Sequence, residues 1–405
     1  MKKYRILQVH NFYQIPGGED VVVRNEKRLL TEHGHEVYEY FRSNAELTDK
    51  GFLGKLLLPF TAVYSLRTAR EVKRLIREKH IDIVHVHNTL TMVSPSVFYA
   101  AFRCGVPVVQ TLHNFRMNCP AGSYFRDNAI CEECVEHGLR CSVRHKCYRG
   151  SRIQTAVSAA ILYVHRMLGT YRKVNFICLT QFNRDKLLSS FAGKQEVIVP
   201  EHVYIKPNFT FVDDAMPDGG WNAAGEYFLF AGRVEALKGI DIAVRAFEQL
   251  KEEQLYVAGD GPMMEQMRAY VQEHDIQNVK LLGYLKKEEM SEWFRHAKAV
   301  IMSSQWYETF GMSMAEAYSY GVPVIAGRIG NLDGMVEEGV TGLKFTYNSA
   351  DDLADKVRKF NRLDLLGMKK NAREFYERNF GPKDNYRRLM EIYRAILGER
   401  GEEEK

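Results

Sequence analysis

A chain of 405 residues, 45% hydrophobic and 26% charged, can bury more than one full core and is too long for a small disulfide-stapled domain, and its seven cysteines are too dilute for one. No basic leader with an apolar centre is expected at the amino terminus. The longest apolar run, Ala156 to Val164, is broken by Ser158 and followed by His165 and Arg166, so no bilayer-spanning segment is expected. The net charge of +5 hides an asymmetry: residues 1–200 hold 29 Lys and Arg against 17 Asp and Glu, and the rest holds 27 against 34. A basic half facing an anionic partner fits this pattern, as does a solvated surface whose charge has drifted.

In chain order, short Val-, Ile- and Leu-rich runs alternate with longer amphipathic stretches. Tyr4–Val9 reads as a strand and is followed by a helical pattern to Gly34. Strands follow at Glu36–Tyr40, Ile81–His85 and Val106–Leu112, with helices between them. Runs that are apolar on both faces and separated by helices predict parallel strands in βαβ units. The pattern restarts after residue 225, with strands at Tyr227–Ala231, Gln254–Ala258, Val279–Leu282, Ala299–Met302 and Val322–Ala326. The expected organisation is therefore two Rossmann-like α/β domains. Residues 1–200 form the first, with a cysteine-rich insertion at about 117–150, and residues 225–380 form the second. A linker at 201–224 holds Pro207, Pro217, Gly219 and Gly220. A terminal helix at 381–405 is expected to pack back toward the first domain and to end in a frayed tail.

Several places in the basic half carry chemistry. After the first strand, Gln14-Ile15-Pro16-Gly17-Gly18-Glu19 opens a helix; Gly17 and Gly18 let a backbone approach a phosphate, or simply make a tight βα turn. Lys50 to Lys79 holds eight Lys and Arg, with Phe52, Leu53, Leu56, Leu57, Leu58 and Phe60 ahead of its helical part. It reads equally as an interfacial segment on anionic lipid and as a core helix with a basic back. His113 stands at the end of its strand, where it can donate a hydrogen bond to a sugar hydroxyl or serve as a satisfied structural group; His85 and His87 are further candidates. Cys131, Cys134, Cys141 and Cys147 have spacing compatible with a structural zinc site, with Cys119, His137 or His145 as alternates. Disulfides and unrelated buried thiols are the competing readings.

In the acidic half, Arg233 and Lys238 lie five positions apart in the loop after a strand. A planar guanidinium fork and an ammonium there can neutralise a diphosphate, or can be two solvated cations. Glu308 and Glu316 bracket a helix start at which the Gly311 and Met312 N–H groups, next to Phe310, suit an anion or a sugar oxygen. AGDGPM supplies Gly259 and Gly261, but Met264 occupies the third position of a dinucleotide fingerprint, so an NAD enzyme is discounted.

ETFGMSMAEAYSYGVPVIA (308–326), AGRVEALKG (231–239), VAGDGPM (257–263) and LLGYL (281–285) together resemble the signatures of retaining glycosyltransferase family 4, over most of residues 225–345. The resemblance implies an α/β GT-B fold, two Rossmann-like domains facing each other across a cleft. It implies that Arg233 and Lys238 hold the donor diphosphate, that Glu308 contacts the transferred sugar and that Glu316 binds the ribose. Gly259 and Gly261 would stand in a base-contacting turn. The Gly17-Gly18 turn resembles the family's glycine loop that reaches the donor phosphate, and His113 its histidine near the sugar. Arg233, Lys238, Glu308 and His113 would be the catalytic set. The implied reaction moves a sugar from a UDP- or GDP-sugar to a glycan or lipid-linked acceptor with retention, in cell-surface polysaccharide or glycolipid synthesis. It would need no cofactor, on the cytoplasmic side and in peripheral contact with anionic membrane. One departure is Gly334, which stands where the family commonly has a Glu. No Asp-x-Asp occurs in the chain, so cations and backbone dipoles are expected to replace a catalytic divalent ion. A nucleic-acid-binding protein with a zinc knuckle, or a sugar-nucleotide epimerase or soluble sugar-phosphate transferase, would use fewer of these residues; no nucleic-acid partner is expected.

Overall fold

The computed structural model describes residues 2–14, 17–48, 51, 54, 56–192, 197–212 and 225–399. The chain divides into two compact units: Met1–Tyr124, Glu132–Asn208 and Asn385–Lys405 form the first, and Phe125–Cys131 and Phe209–Asp384 the second.

The first unit is built on strands β1 (Arg5–Phe12), β2 (Glu36–Ser43), β3 (Ile83–Val86) and β4 (Val108–Thr111). A two-strand hairpin of β5 (Phe125–Arg126) and β6 (Ala129–Ile130) comes next in the chain, and β7 (Asn175–Cys178) and β8 (Val203–Ile205) complete the sheet. Its order is β2-β1-β3-β4-β7-β8, parallel throughout. Every residue of β3 is buried, as expected of a central parallel strand covered by helices on both faces. The helix Gly18–Glu32 contributes Val22, Val23, Leu29 and Leu30 to the packing, and Leu66–Lys79 contributes Ala69, Val72 and Ile76 beneath its basic outer face.

The second unit repeats the plan with β9 (Tyr227–Ala231), β10 (Leu255–Ala258), β11 (Val279–Gly283), β12 (Ala297–Met302), β13 (Val324–Gly327) and β14 (Gly342–Phe345), in the order β11-β10-β9-β12-β13-β14 and again parallel. Adjacent strands β9 and β12 send their connections in opposite directions, so a crevice opens where the order reverses. In the first unit the reversal falls between β1 and β3.

Five strands go unread in the sequence: the hairpin strands β5 and β6, of two residues each, and β7, β8 and β14, which lie outside the expected apolar runs. The segment expected to be a linker from residue 201 opens in a short 3-10 turn (Pro200–His202) that leads into β8, and the first unit runs to Asn208. Prolines at 200 and 207 punctuate both ends of β8, which an edge strand tolerates. Most of the remaining expected linker, 213–224, lies outside the described residues.

Candidate active site

In the second unit the loops after β9 and β12 meet at the sheet's point of reversal. The Gln305 N–H donates to the Leu237 carbonyl at 2.8 Å, and the Ser303 hydroxyl donates to the Gly239 carbonyl at 2.7 Å. Gly239 has φ +64°, and a Cβ there would stand 1.9 Å from the Ser303 carbonyl oxygen, so only glycine lets the two loops touch. This docking brings Lys238 Nζ to 2.6 Å from Glu308 Oε1, although 70 residues separate them in the chain. Ser304 donates to the same carboxylate oxygen at 2.6 Å, and Lys238 Nζ stands 5.6 Å from the Trp306 ring centroid. Burial pushes the Glu308 carboxyl up, but Lys238 and the hydrogen bonds of its neighbours win and hold it below the usual glutamate range. The Lys238 side chain is 25% exposed, so its ammonium can meet a ligand while paired.

Arg233 projects from the same loop and is 55% exposed, with Glu235 3.6 Å away. Gly311, with φ +89°, caps the helix Met312–Ser319, whose Ser313 hydroxyl ties its first turn to the Ala231 carbonyl at 2.7 Å. Phe310 is 2% exposed and packs against Phe380, so its backbone alone can face a ligand. Glu316 lies in the second turn of this helix, partly exposed, and burial pushes its carboxyl up to about 7. Gly259 and Gly261 have a packing role independent of any ligand. A Cβ at Gly259 would stand 1.8 Å from the Gly232 carbonyl oxygen, and one at Gly261 2.5 Å from that of Val234.

The first unit gathers a second polar cluster at its own reversal point. Gly17 caps the helix Gly18–Glu32, and its N–H donates to Asp20 Oδ2 at 3.0 Å; Asp20 Oδ1 lies 2.8 Å from His10 Nε2. Glu19 accepts from Asn88 Nδ2 at 3.1 Å; burial and Asp20 push its carboxyl up to about 8, against the pull of Arg116. His113 Nε2 lies 3.0 Å from His87 Nδ1, and both rings are held neutral, chiefly by burial and then by neighbouring histidines. A cavity of about 50 Å³ lies beside them, lined by His87, Asn88, His113, Asn114 and Arg116 and floored by apolar side chains including Phe98 and Leu162. Sequence reasoning passed over Ser304, Trp306, Glu19, Asn88 and Arg116, which are single polar residues in loops or first turns and become recognisable only when the fold gathers them.

The four cysteines expected to hold zinc, Cys131, Cys134, Cys141 and Cys147, are each partly buried. Among the described residues, the metal-competent groups, with ligand atoms within 4.8 Å of one another, are Glu26–His85–His87 and His10–Glu19–Asp20; neither contains a cysteine. Burial, with Cys119 and Cys147 nearby, pushes the Cys134 thiol up to about 12.

Two parallel α/β units, each with its polar residues collected beyond the carboxyl ends of the strands, define the GT-B class. A glycosyltransferase from Rickettsia africae superposes with a TM-score of 0.68 at 18% identity, over 98% of this chain and 99% of that one. Anabaena Alr3699/HepE in complex with UDP superposes with a TM-score of 0.66 at 17% identity, over 96% and 100%. The chain belongs to the family 4, group 1 glycosyltransferases: residues 16–189 match the family described as Glycosyltransferase Family 4 and residues 212–378 the one described as Glycosyl transferases group 1. The N-acetyl-alpha-D-glucosaminyl L-malate synthase of Bacillus anthracis is 22% identical over 95% of this chain and 96% of its own length. The D-inositol 3-phosphate glycosyltransferase 1 of Catenulispora acidiphila is 32% identical over 43% of this chain. The chain spans under half the length of curated relatives such as this one, 45% in its case.

Proposed function

We propose that this protein transfers a sugar from a UDP- or GDP-sugar to a hydroxyl of a glycan or lipid-linked acceptor, with retention at the anomeric carbon. The observation that carries this reading is the meeting of Lys238 and Glu308 at 2.6 Å beside the glycine-capped start of the helix Met312–Ser319. A diphosphate there would lie against Lys238, Arg233 and the backbone N–H groups of Gly311 and Met312, while Glu308 accepts from a sugar hydroxyl and Glu316 from the ribose. As the anomeric carbon–oxygen bond to phosphate breaks, negative charge collects on the leaving oxygen, and the two cations stabilise it more than they stabilise the intact donor. The acceptor oxygen bonds to the same face of that carbon, and its proton passes to the departing phosphate. In the first unit, the Gly17-Gly18 turn offers an N–H surface suited to phosphate and His113 a contact suited to a substrate hydroxyl.

Support for a lipid-linked acceptor comes from the first unit's surface. Leu57 and Phe60 are exposed in the segment before the helix Leu66–Lys79, which opens on exposed Leu66 and whose outward face holds Arg67, Arg70, Lys73, Arg74 and Arg77. Lys50, Phe52, Leu53 and Lys55 lie outside the described residues. No helix among the described residues is long and apolar enough to cross a membrane. The reading is of an enzyme on the cytoplasmic face, held to anionic lipid by this patch.

Lys238→Ala tests the reading. We expect turnover of a UDP- or GDP-sugar to fall by about 100-fold or more, with a much smaller change in donor affinity, because the ammonium acts on charge that grows in the transition state. Steady-state kinetics with a panel of sugar nucleotides measures both; an unchanged turnover number with only a raised KM would refute the role.

A further inference from the structure

The helix Arg152–Met167 carries its polarity in reverse. Its buried residues include Thr155, Ser158 and His165 beside Ala159, Ile161 and Leu162. The three polar groups are met from below: Ser158 donates to the Pro120 carbonyl at 2.8 Å, Thr155 Oγ1 accepts from the Tyr148 N–H at 3.0 Å, and His165 Nε2 lies 3.0 Å from the Val63 carbonyl oxygen. The outward side is apolar. Ile153, Tyr163, Met167 and the following Leu168 are between 61% and 74% exposed, and Ala156 and Ala160 fill the same stripe at helical steps of three and four. A surface helix ordinarily turns its charged side to water, and an apolar face of this length marks a contact.

The chain around this helix is cationic. From His137 to Arg184 the sequence holds nine Lys and Arg and no Asp or Glu. Arg149 and Arg152 at the start of the helix, and Arg172 and Lys173 shortly after its end, are exposed and frame the stripe. A second copy of the chain docked face to face would set these cations against their own kind. An anionic bilayer neutralises them and takes the apolar side chains below its headgroups. We propose that the outward face of the helix Arg152–Met167 is a bilayer-docking surface: the helix lies flat on an anionic membrane, Ile153, Tyr163, Met167 and Leu168 enter between the headgroups, and the framing cations pair with lipid phosphates. The inference rests on the membrane reading given above and adds to its basic patch the element that enters the lipid.

Two neighbours give the surface its use. The helix Leu58–Val63, which carries exposed Phe60, packs on this one through Ala62 and Ile161, so the two segments with outward apolar side chains adjoin. On its inward side the helix sends Ser158, Ile161 and Leu162 into the lining of the cavity beside His113. A bilayer on the outward face then stands one helix diameter, about 10 Å, from that cavity. So short a distance suits an acceptor hydroxyl carried on a lipid headgroup.

Co-flotation of the full-length protein with vesicles rich in phosphatidylglycerol tests the surface. The double variant Tyr163→Asp/Met167→Asp is expected to bind about tenfold or more weakly than wild type, with a nearly unchanged melting temperature. In Met167→Trp, brominated acyl chains are expected to quench fluorescence beyond the quenching seen in wild type, which reads insertion without removing the apolar face. Unchanged binding by the double variant, no added quenching, or equal binding to vesicles of phosphatidylcholine alone would overturn the inference. So would a wild-type dimer that the double variant converts to monomer in sedimentation velocity, which would assign the face to a second copy. If the double variant binds like wild type while Phe60→Asp binds weakly, this inference fails and the membrane reading stands; the kinetics of Lys238→Ala decides the glycosyl-transfer reading separately.

Discussion

Glu316 carries a cost that its site requires. The unfolded chain releases this proton near the usual glutamate value and the folded chain near 7, so the native state holds more protons across that window and stability falls as pH rises through it. Glu316→Gln removes the penalty. We expect the variant to be more stable than wild type at pH 8 by about 1–3 kcal/mol and to lose the difference below about pH 4.5, as thermal melts against pH would read. The same variant should bind nucleotide more weakly, which isothermal titration measures. Glu308 obeys the opposite sign. Its depressed value contributes stability at neutral pH that fades as pH falls, and removing Lys238 leaves its carboxylate enclosed without a counter-charge.

At the scale of elements, the two units reuse one device, a parallel sheet whose order reverses and gathers polar residues at the reversal. Much of the second unit's site was legible because each of its loops is a contiguous string: AGRVEALKG follows β9, and the two-glutamate stretch follows β12. The cluster around Glu26 was legible only through two of its members, His85 and His87. Its members come from a helix, a central strand, the segment after β8 and the last helix, and each alone resembles an ordinary solvated or structural charge. The strands β7, β8 and β14 were missed for a related reason, since NFIC, VYI and GLKF are short and the first and last are interrupted by Asn175, Gly342 and Lys344. The glycines after β10 were legible as a motif but not as packing. Gly259→Ala, with its Cβ directed at the Gly232 carbonyl oxygen, should cost about 2 kcal/mol or more and separate the loops after β9 and β10; urea denaturation and nucleotide affinity should fall together.

Across the whole molecule, charge and chain order have separate consequences. The basic first half and the exposed Leu57, Phe60 and Leu66 predict salt-sensitive sedimentation with vesicles rich in anionic lipid. Phe60→Asp, at a side chain 74% exposed, should weaken that binding several-fold and leave the melting temperature nearly unchanged. The final helix, Pro382–Ile396, predicts a different sensitivity. It buries Tyr386, Leu389, Met390, Ile392 and Tyr393, and its residues from Asn385 belong to the first unit. Ending the chain at Asp384 should lower the denaturation midpoint of that unit by the equivalent of about 3 kcal/mol or more, read by circular dichroism in urea.

That late return of the polypeptide sets an order of events during synthesis. The Lys206 ammonium and the Glu26 carboxylate are made early, yet Asn385, which accepts from Lys206, and Tyr393, whose hydroxyl meets His85, are made only after the whole of the second unit. Most of the second unit, from Phe209 to Asp384, is available before them, so it can close while the half made first still waits for its last pieces. A nascent chain stalled just short of Asn385 would carry a nearly complete second unit joined to an unfinished first one, and protease protection should appear in the reverse of the order in which the two units begin to be made.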